Sequence, residues 1–179
     1  MSVDKKIEIV RTFITALQSG DMDIATRTSA ETFVVTGLFP RPLNRDEFLG
    51  VQSELLKSMS DFSYNLASER VVDRVVKATL RIEGMHQHDL ALPLFGLQTI
   101  PATGLAVALP QVHVVFLVEG EQVGAMDVER VPGGGLEGLL QQVGAELPLA
   151  PREDVMDDPM AYQEGRANTR SPDIDKREG

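Results

Sequence analysis

The stretch LAVALPQVHVVFLVEGEQVGAMDVER, residues 105–130, reads as two strand-like runs joined at Val118-Glu119-Gly120-Glu121. The first arm, Leu105 to Val118, is almost wholly apolar, yet it holds Gln111 and His113 two residues apart. The second arm, Gln122 to Arg130, carries Asp127 between Met126 and Val128. Side chains of a strand alternate with period two, so Gln111 and His113 share one face. Whether Asp127 joins them depends on the register. A three-residue loop, Glu119 to Glu121, sets His113 opposite Asp127, whereas a two-residue Glu119-Gly120 turn sets it opposite Met126. An amide, an imidazole and a carboxylate grouped on an apolar sheet have two readings: an active site, or a hydrogen-bonded cross-strand pair with no chemical role.

Working outward, the N-terminal third is helical. Ile7, Val10, Phe13, Ile14 and Leu17 fall at the spacing of one buried face over residues 3–18, with Ser19-Gly20 ending the helix. Asp21 is placed to cap a second short helix. Thr32 to Thr36 is β-branched and aromatic and reads as a short strand, and Asn44 caps a third helix from Arg45 to about Lys57. Strands dominate from Ser60. Val76, Ala78, Leu80 and Ile82 alternate with Lys77, Thr79, Arg81 and Glu83, the pattern of a sheet with one buried and one wet face. The loop from Leu90 to Gly104 holds Leu90, Leu92, Leu94, Phe95, Leu97 and Ile100, too many large apolar groups for a solvated segment. It is expected to pack across the mouth of a cavity or on a partner chain. Pro132-Gly133-Gly134-Gly135 reads as a flexible end, followed by a short helix from Leu136 to Val143.

The chain has 179 residues, 42% of them hydrophobic, which predicts one domain over residues 1–147 and an acidic, disordered tail over 148–179. A formal net charge of −10 argues against nucleic acid as a partner. With no cysteine, disulfides, thiolate metal sites and cysteine nucleophiles are excluded. No apolar run approaches the roughly 18 residues of a membrane span, and MSVDKKIEIV lacks the apolar segment of a signal peptide. The expectation is a cytoplasmic protein with no membrane partner.

Helices first, then a meander of long strands, describe an α+β domain: a cone-shaped α+β barrel, helices packed in a curved, mostly antiparallel sheet. Ala16-Leu17-Gln18-Ser19-Gly20-Asp21 resembles the first-helix signature of the nuclear transport factor 2-like superfamily. Within it the chain resembles the SnoaL-like polyketide cyclases, through Gly84-x-His86, Ile100-Pro101-Ala102-Thr103-Gly104, and the closing strand–Gly120 turn–strand. The resemblance spans roughly residues 4–131.

The resemblance implies a cofactor-free intramolecular aldol condensation that closes a ring in a polyketide-type substrate. In that family a Gln and a His two apart on the penultimate strand, with an Asp on the last, line the pocket, and Gln111, His113 and Asp127 match that pattern. Asp127 would be the acid/base, with a pKa raised by an apolar pocket. His113 would orient it or bond the developing enolate, and Gln111 would position a substrate oxygen. The family also draws a polar residue from its first strand, for which Thr36 is the nearest substitute. The implied partners are a small apolar or aromatic substrate and a second copy of the chain in a homodimer or higher homo-oligomer.

His86, His88 and Asp89 raise a metal reading, but no third ligand is clearly placed, so no metal is expected. His86 instead is expected to reach the pocket, two steps beyond Gly84. Two other functions stay open. One is a ketosteroid-isomerase-like proton shuttle, against which Phe13 and Val35 stand where that type expects a Tyr and an acid. The other is a non-catalytic small-ligand-binding or dimerisation module of the same fold.

Overall fold

The N-terminal helix forms where the helical spacing predicts it: α1 (Val3–Ser19) buries Val10, Phe13, Ile14 and Leu17 and stops at Gly20, which takes the left-handed conformation at φ 80°. These are features of a computed structural model that describes residues 2–145. The tail expected over 148–179 lies outside the described residues. Asp21 caps α2 (Met22–Arg27) by accepting from the Ile24 N–H. After β1 (Ser29–Thr36) and β2 (Leu43–Asn44) comes α3 (Arg45–Ser58), opened by a reciprocal capping box between Asn44 and Glu47. The rest is β3 (Met59–Ser63), β4 (Ala67–Val72), β5 (Val75–Leu80), β6 (Glu83–His86), β7 (Ala106–Ala108), β8 (Val112–Glu119), β9 (Gln122–Val128) and α4 (Gly135–Gln142).

Six strands make one sheet in the order β2-β1-β9-β8-β5-β4, and β3-β6-β7 make a second, smaller one. All pairings are antiparallel except β1 with β9. The α+β cone expected from the sequence is therefore present, but its sheet does not close into a barrel. The chain leaves the large sheet after Leu80 and resumes at Glu83 in the small one, so β4 and the two-residue β2 remain free edges.

The inner face of the large sheet carries Phe33 and Val35 of β1, Val76, Ala78 and Leu80 of β5, and Val112, Val114, Phe116 and Val118 of β8. Against it pack α1 and the Phe48, Val51 and Leu55 stripe of α3. A run of rings crosses this core. Phe13 meets Phe33 at 5.5 Å, Phe33 stacks on Phe48 at 5.8 Å, Phe48 meets Phe39 at 6.0 Å, and Phe39 stacks on Phe95 at 5.7 Å. Phe95 belongs to the apolar loop 90–104, which also sinks Leu90 and Leu92 into the core and leaves Leu94 41% exposed. The loop thus packs on its own domain.

Two expectations about the stretch 105–130 are corrected. It is not one long strand and a second: β7 sits in the small sheet, and the chain bends through Leu109, Pro110 and Gln111 before β8 begins in the large one. Proline has no N–H to give a ladder, which makes residue 110 the natural break. The turn is also different. Glu119 pairs with Gln122 and Val118 with Val123, but Leu117 pairs with Ala125, so Gly124 is an extra residue in β9. His113 consequently lies beside Glu129, its carbonyl accepting from the Glu129 N–H at 2.9 Å, and Asp127 pairs with Val115.

Candidate functional site

The bulge at Gly124 decides which way Asp127 points. Val123 faces inward opposite Val118; with unbroken alternation Ala125 and Asp127 would also face inward. The extra residue reverses the parity, so that Met126 and Val128 are buried and Asp127 is exposed. A Cβ on Gly124 would lie 2.5 Å from Glu119 Oε1, the far end of an exposed side chain that can turn aside, so the bulge does not itself demand glycine. Burying an apolar pair and freeing a carboxylate is the favourable outcome on both counts.

Gln111 and His113 are exposed as well, their neighbours Val112 and Val114 having taken the inner face. The three residues do share one side of the sheet, but it is the outer side. The expected pocket floor of Gln111, His113 and Asp127 is therefore corrected to a cluster on an open surface. Thr36 joins them there rather than entering a pocket. Its hydroxyl donates to Asp127 Oδ1 at 2.8 Å across the β1/β9 pairing, and Glu129 Oε1 accepts from the His113 N–H at 3.0 Å.

The register lays this outer face out in transverse rows. One row runs Thr36, Asp127, Val115, Lys77, Arg70, and the next runs Val34, Ala125, Leu117, Val75, Val72. The first has an acid on one side of Val115 and two bases on the other. The second is wholly apolar, with Val72 37% exposed.

His86 does not reach a substrate chamber. It sits at 1% exposure in the small sheet, with Nδ1 2.9 Å from Thr103 Oγ1 and, among the described residues, no partner on Nε2. The Thr103 oxygen also accepts from the Leu105 N–H at 3.2 Å, so its own hydrogen is free for the imidazole. Burial lowers the His86 pKa from its ordinary value, with Asp89 opposing, which favours the neutral ring. Asp89 in turn accepts from the Ala102 N–H at 3.1 Å, so both residues clasp the ends of the loop 90–104. His88 is exposed, and among the described residues no group of three His, Asp or Glu side chains could hold a metal ion.

The interior offers a different site, one that strand alternation did not single out. A void of about 20 Å³ remains between Phe39, Leu55, Tyr64, Ile82 and two leucines of α4, Leu136 and Leu139. That is room for roughly one water molecule. Tyr64 is fully buried and its hydroxyl donates to Gln52 Oε1, while Gln52 Nε2 donates to the Leu17 carbonyl at 3.2 Å. Burial raises the Tyr64 pKa, keeping the phenol neutral. The signal for this pair was present in the sequence: Gln52 stands in the apolar stripe of α3, between Val51 and Leu55, where an amide needs a buried partner. Beyond Leu38, Phe39, Gly135 and Leu136, which line both spaces, lies an open cleft of about 530 Å³ bordered by Pro40, Arg130 and Glu137.

The helix that closes the void is held at both ends. The Leu136 N–H donates to the Leu38 carbonyl at 2.8 Å. The Gln142 carboxamide meets the backbone of Ala108 twice, accepting from its N–H at 2.9 Å and donating to its carbonyl at 2.8 Å. The glycines before α4 are not merely a flexible end. A Cβ on Gly135 would approach the Leu38 carbonyl oxygen to 2.8 Å, so glycine here permits close seating of the helix.

No family model matches the chain, and no curated protein matches it in sequence. Solved structures do share its fold. A candidate polyketide cyclase from Xanthomonas campestris is 20% identical, with a TM-score of 0.56 over 78% of this chain and 97% of that one. IdmH, a candidate polyketide cyclase from Streptomyces antibioticus, is 16% identical, with a TM-score of 0.58 over 78% and 99%. A limonene-epoxide-hydrolase-like enzyme of M. tuberculosis is 15% identical, with a TM-score of 0.57 over 79% and 93%. At such identities the likeness shows the fold, which is that of the SnoaL-like and ketosteroid-isomerase-like proteins.

Proposed function

We propose that this chain, on a fold shared with SnoaL-like polyketide cyclases, is a small-ligand-binding module that takes an apolar molecule between the large sheet and α4. The observation that carries the reading is the open cleft of about 530 Å³ that continues, across Leu38, Phe39, Gly135 and Leu136, into the small apolar void over Tyr64, whose hydroxyl is already bonded to Gln52. Among the described residues no acid or base lines that void, so its chemistry favours binding over proton transfer. A two-ring aromatic such as 1-naphthol is expected to bind with micromolar to millimolar affinity and to perturb the NMR signals of Leu55, Ile82 and Leu139. The Ile82→Phe variant, which fills the void, is expected to lose that binding. Unchanged binding by a folded Ile82→Phe protein would sink the reading.

The same module reading includes self-association through the outer sheet face. Asp127 and Lys77 lie one strand to either side of Val115, each about 4.8 Å away in the hydrogen-bonding direction. A two-fold axis above Val115 would bring Asp127 of one copy over Lys77 of the other and stack the apolar rows. Light scattering is expected to give a dimer that Val115→Glu converts to monomer. A monomeric parent protein would remove this part.

The second reading is the aldol ring closure itself, with Asp127 as acid/base, His113 and Gln111 as its companions and Thr36 holding the carboxylate. It is supported by the shared face of the cluster and the Thr36–Asp127 bond. On an aromatic poly-β-ketone precursor, Asp127→Asn is then expected to lose about 10²–10⁴-fold in turnover. Equal turnover by both proteins would exclude Asp127.

A further inference from the structure

Among the described residues His86 is the only buried imidazole, and it lines neither the void nor the cleft. It is bonded to the return arm of the apolar loop, residues 101–105, each of which is exposed. Hydrogen bonds rather than apolar packing therefore hold this arm. The Gly104 N–H donates to the His86 carbonyl at 2.8 Å, and the His86 N–H donates to the Leu105 carbonyl at 2.9 Å. The imidazole adds the contact of Nδ1 with Thr103, and Asp89 adds its bond from the Ala102 N–H. All but the Asp89 bond close on His86.

A proton added to the ring disturbs this arrangement. The Thr103 oxygen can still accept from an Nδ1–H by turning its own hydrogen away, but an Nε2–H has no acceptor among the described residues. The imidazolium is then a buried cation with an unpaired donor, far costlier than the neutral ring. Lifting the arm lets the ring turn out to water.

The charged groups nearby do little to offset that cost. Asp89 favours the cation, but its Oδ1 is already engaged by the arm. β3 sets Met59 opposite His86, its Asp61 is exposed, and β7 carries no titratable side chain. Glu83, on the same strand as His86, pairs with Arg81 at 3.3 Å, and Glu54 and Lys57 of α3 pair with each other at 3.3 Å. His88, at the start of the loop, is exposed.

We infer that the arm 101–105 is an acid-released strap: the neutral His86 ring keeps it shut, and protonation of the ring turns it loose. Release starts at Thr103 and leaves Leu90 and Leu92 seated, since both are sunk in the core. Ligand binding in the cleft plays no part in this, so the latch stands or falls separately from it. With the arm lifted the ring returns to its ordinary pKa of 6.5, whereas burial lowers it in the closed form. The open form therefore binds the proton more tightly. Opening is least above that pH, grows as the pH falls below it, and levels off below the pKa of the closed form.

The test is amide hydrogen exchange on the full chain at pH 7.5 and 5.5, each rate divided by that of an unstructured peptide at the same pH. Opening at the Ala102 and Gly104 amides is expected to increase several-fold, up to about tenfold, at the lower pH, while the amides of β8 keep their protection. His86→Gln is neutral at both pH values and is expected to abolish the increase. His88→Gln, at an exposed position, is expected to retain it.

An arm that exchanges alike at both pH values in the parent protein would overturn the strap. So would an increase in His86→Gln equal to the parent's, or a loss of protection shared equally by the arm and β8. Should His86→Gln fail to fold, NMR titration of the parent decides. The His86 ring and the Gly104 amide are expected to titrate together with a midpoint below the ordinary histidine value, and unrelated midpoints would overturn the coupling.

Discussion

Phe48→Ala is expected to lower the free energy of unfolding by about 3–5 kcal/mol. Phe48 is completely buried, stacked at 5.8 Å on Phe33 and meeting Phe39 at 6.0 Å, so its removal empties the middle of the ring series. The cost has two parts, the lost burial of the ring and the cavity that its neighbours cannot collapse to fill. Those neighbours come from β1, from the turn after it, and from α3 itself, elements whose positions are set by separate caps and ladders. Chemical denaturation of the two proteins gives the number directly. A loss below about 1 kcal/mol would mean that the core relaxes around the vacancy. The effect extends to the void beneath α4, because Phe39 both touches Phe48 and lines it.

Gly37→Ala is expected to be comparably damaging for a different reason. Gly37 follows β1 directly, at φ 93°, and a Cβ there would lie 1.7 Å from the Val128 carbonyl oxygen. The backbone conformation alone costs a residue with a side chain about 1–3 kcal/mol. The collision adds the cost of parting the ends of β1 and β9. That parting falls beside the Thr36–Asp127 hydrogen bond, so the variant should also show faster amide exchange at Val35 and Asp127. A variant with parent-like thermal stability and exchange would contradict the close approach of these two strands.

The contrast between the two substitutions bears on how far residues alone carry the argument. Phe48 stands in a 3.6-period stripe with Val51 and Leu55, so its burial is legible from local spacing. Gly37 shows nothing local beyond a loop glycine, since what it must avoid is a carbonyl 91 residues further along the chain. The candidate site divides along the same line. That Gln111 and His113 share a face follows from period two, and the pair does share one. That the face is the outer one follows from Val112, Val114, Phe116 and Val118 claiming the inner side, a pattern equally visible in the letters. The family resemblance pointed toward a pocket, and the apolar alternation of this chain overrode it.

The sequence by itself determined the class of the domain, the helix caps at Ser19-Gly20, Asp21 and Asn44, and the buried parity of β5. Each of these is a local consequence of side-chain spacing or of one capping group, and needs no knowledge of distant residues. The tertiary structure decided the rest. The parallel pairing of β1 with β9 joins segments about ninety residues apart, and no local propensity encodes it. The bulge at Gly124 turned Asp127 outward because packing Met126 and Val128 against the core outweighs unbroken alternation. The seat of α4 was decided by the shape of the cone mouth: Leu136 and Leu139 fill the space between Leu55, Tyr64 and Ile82, and glycine at 135 lets the helix come close enough to do so.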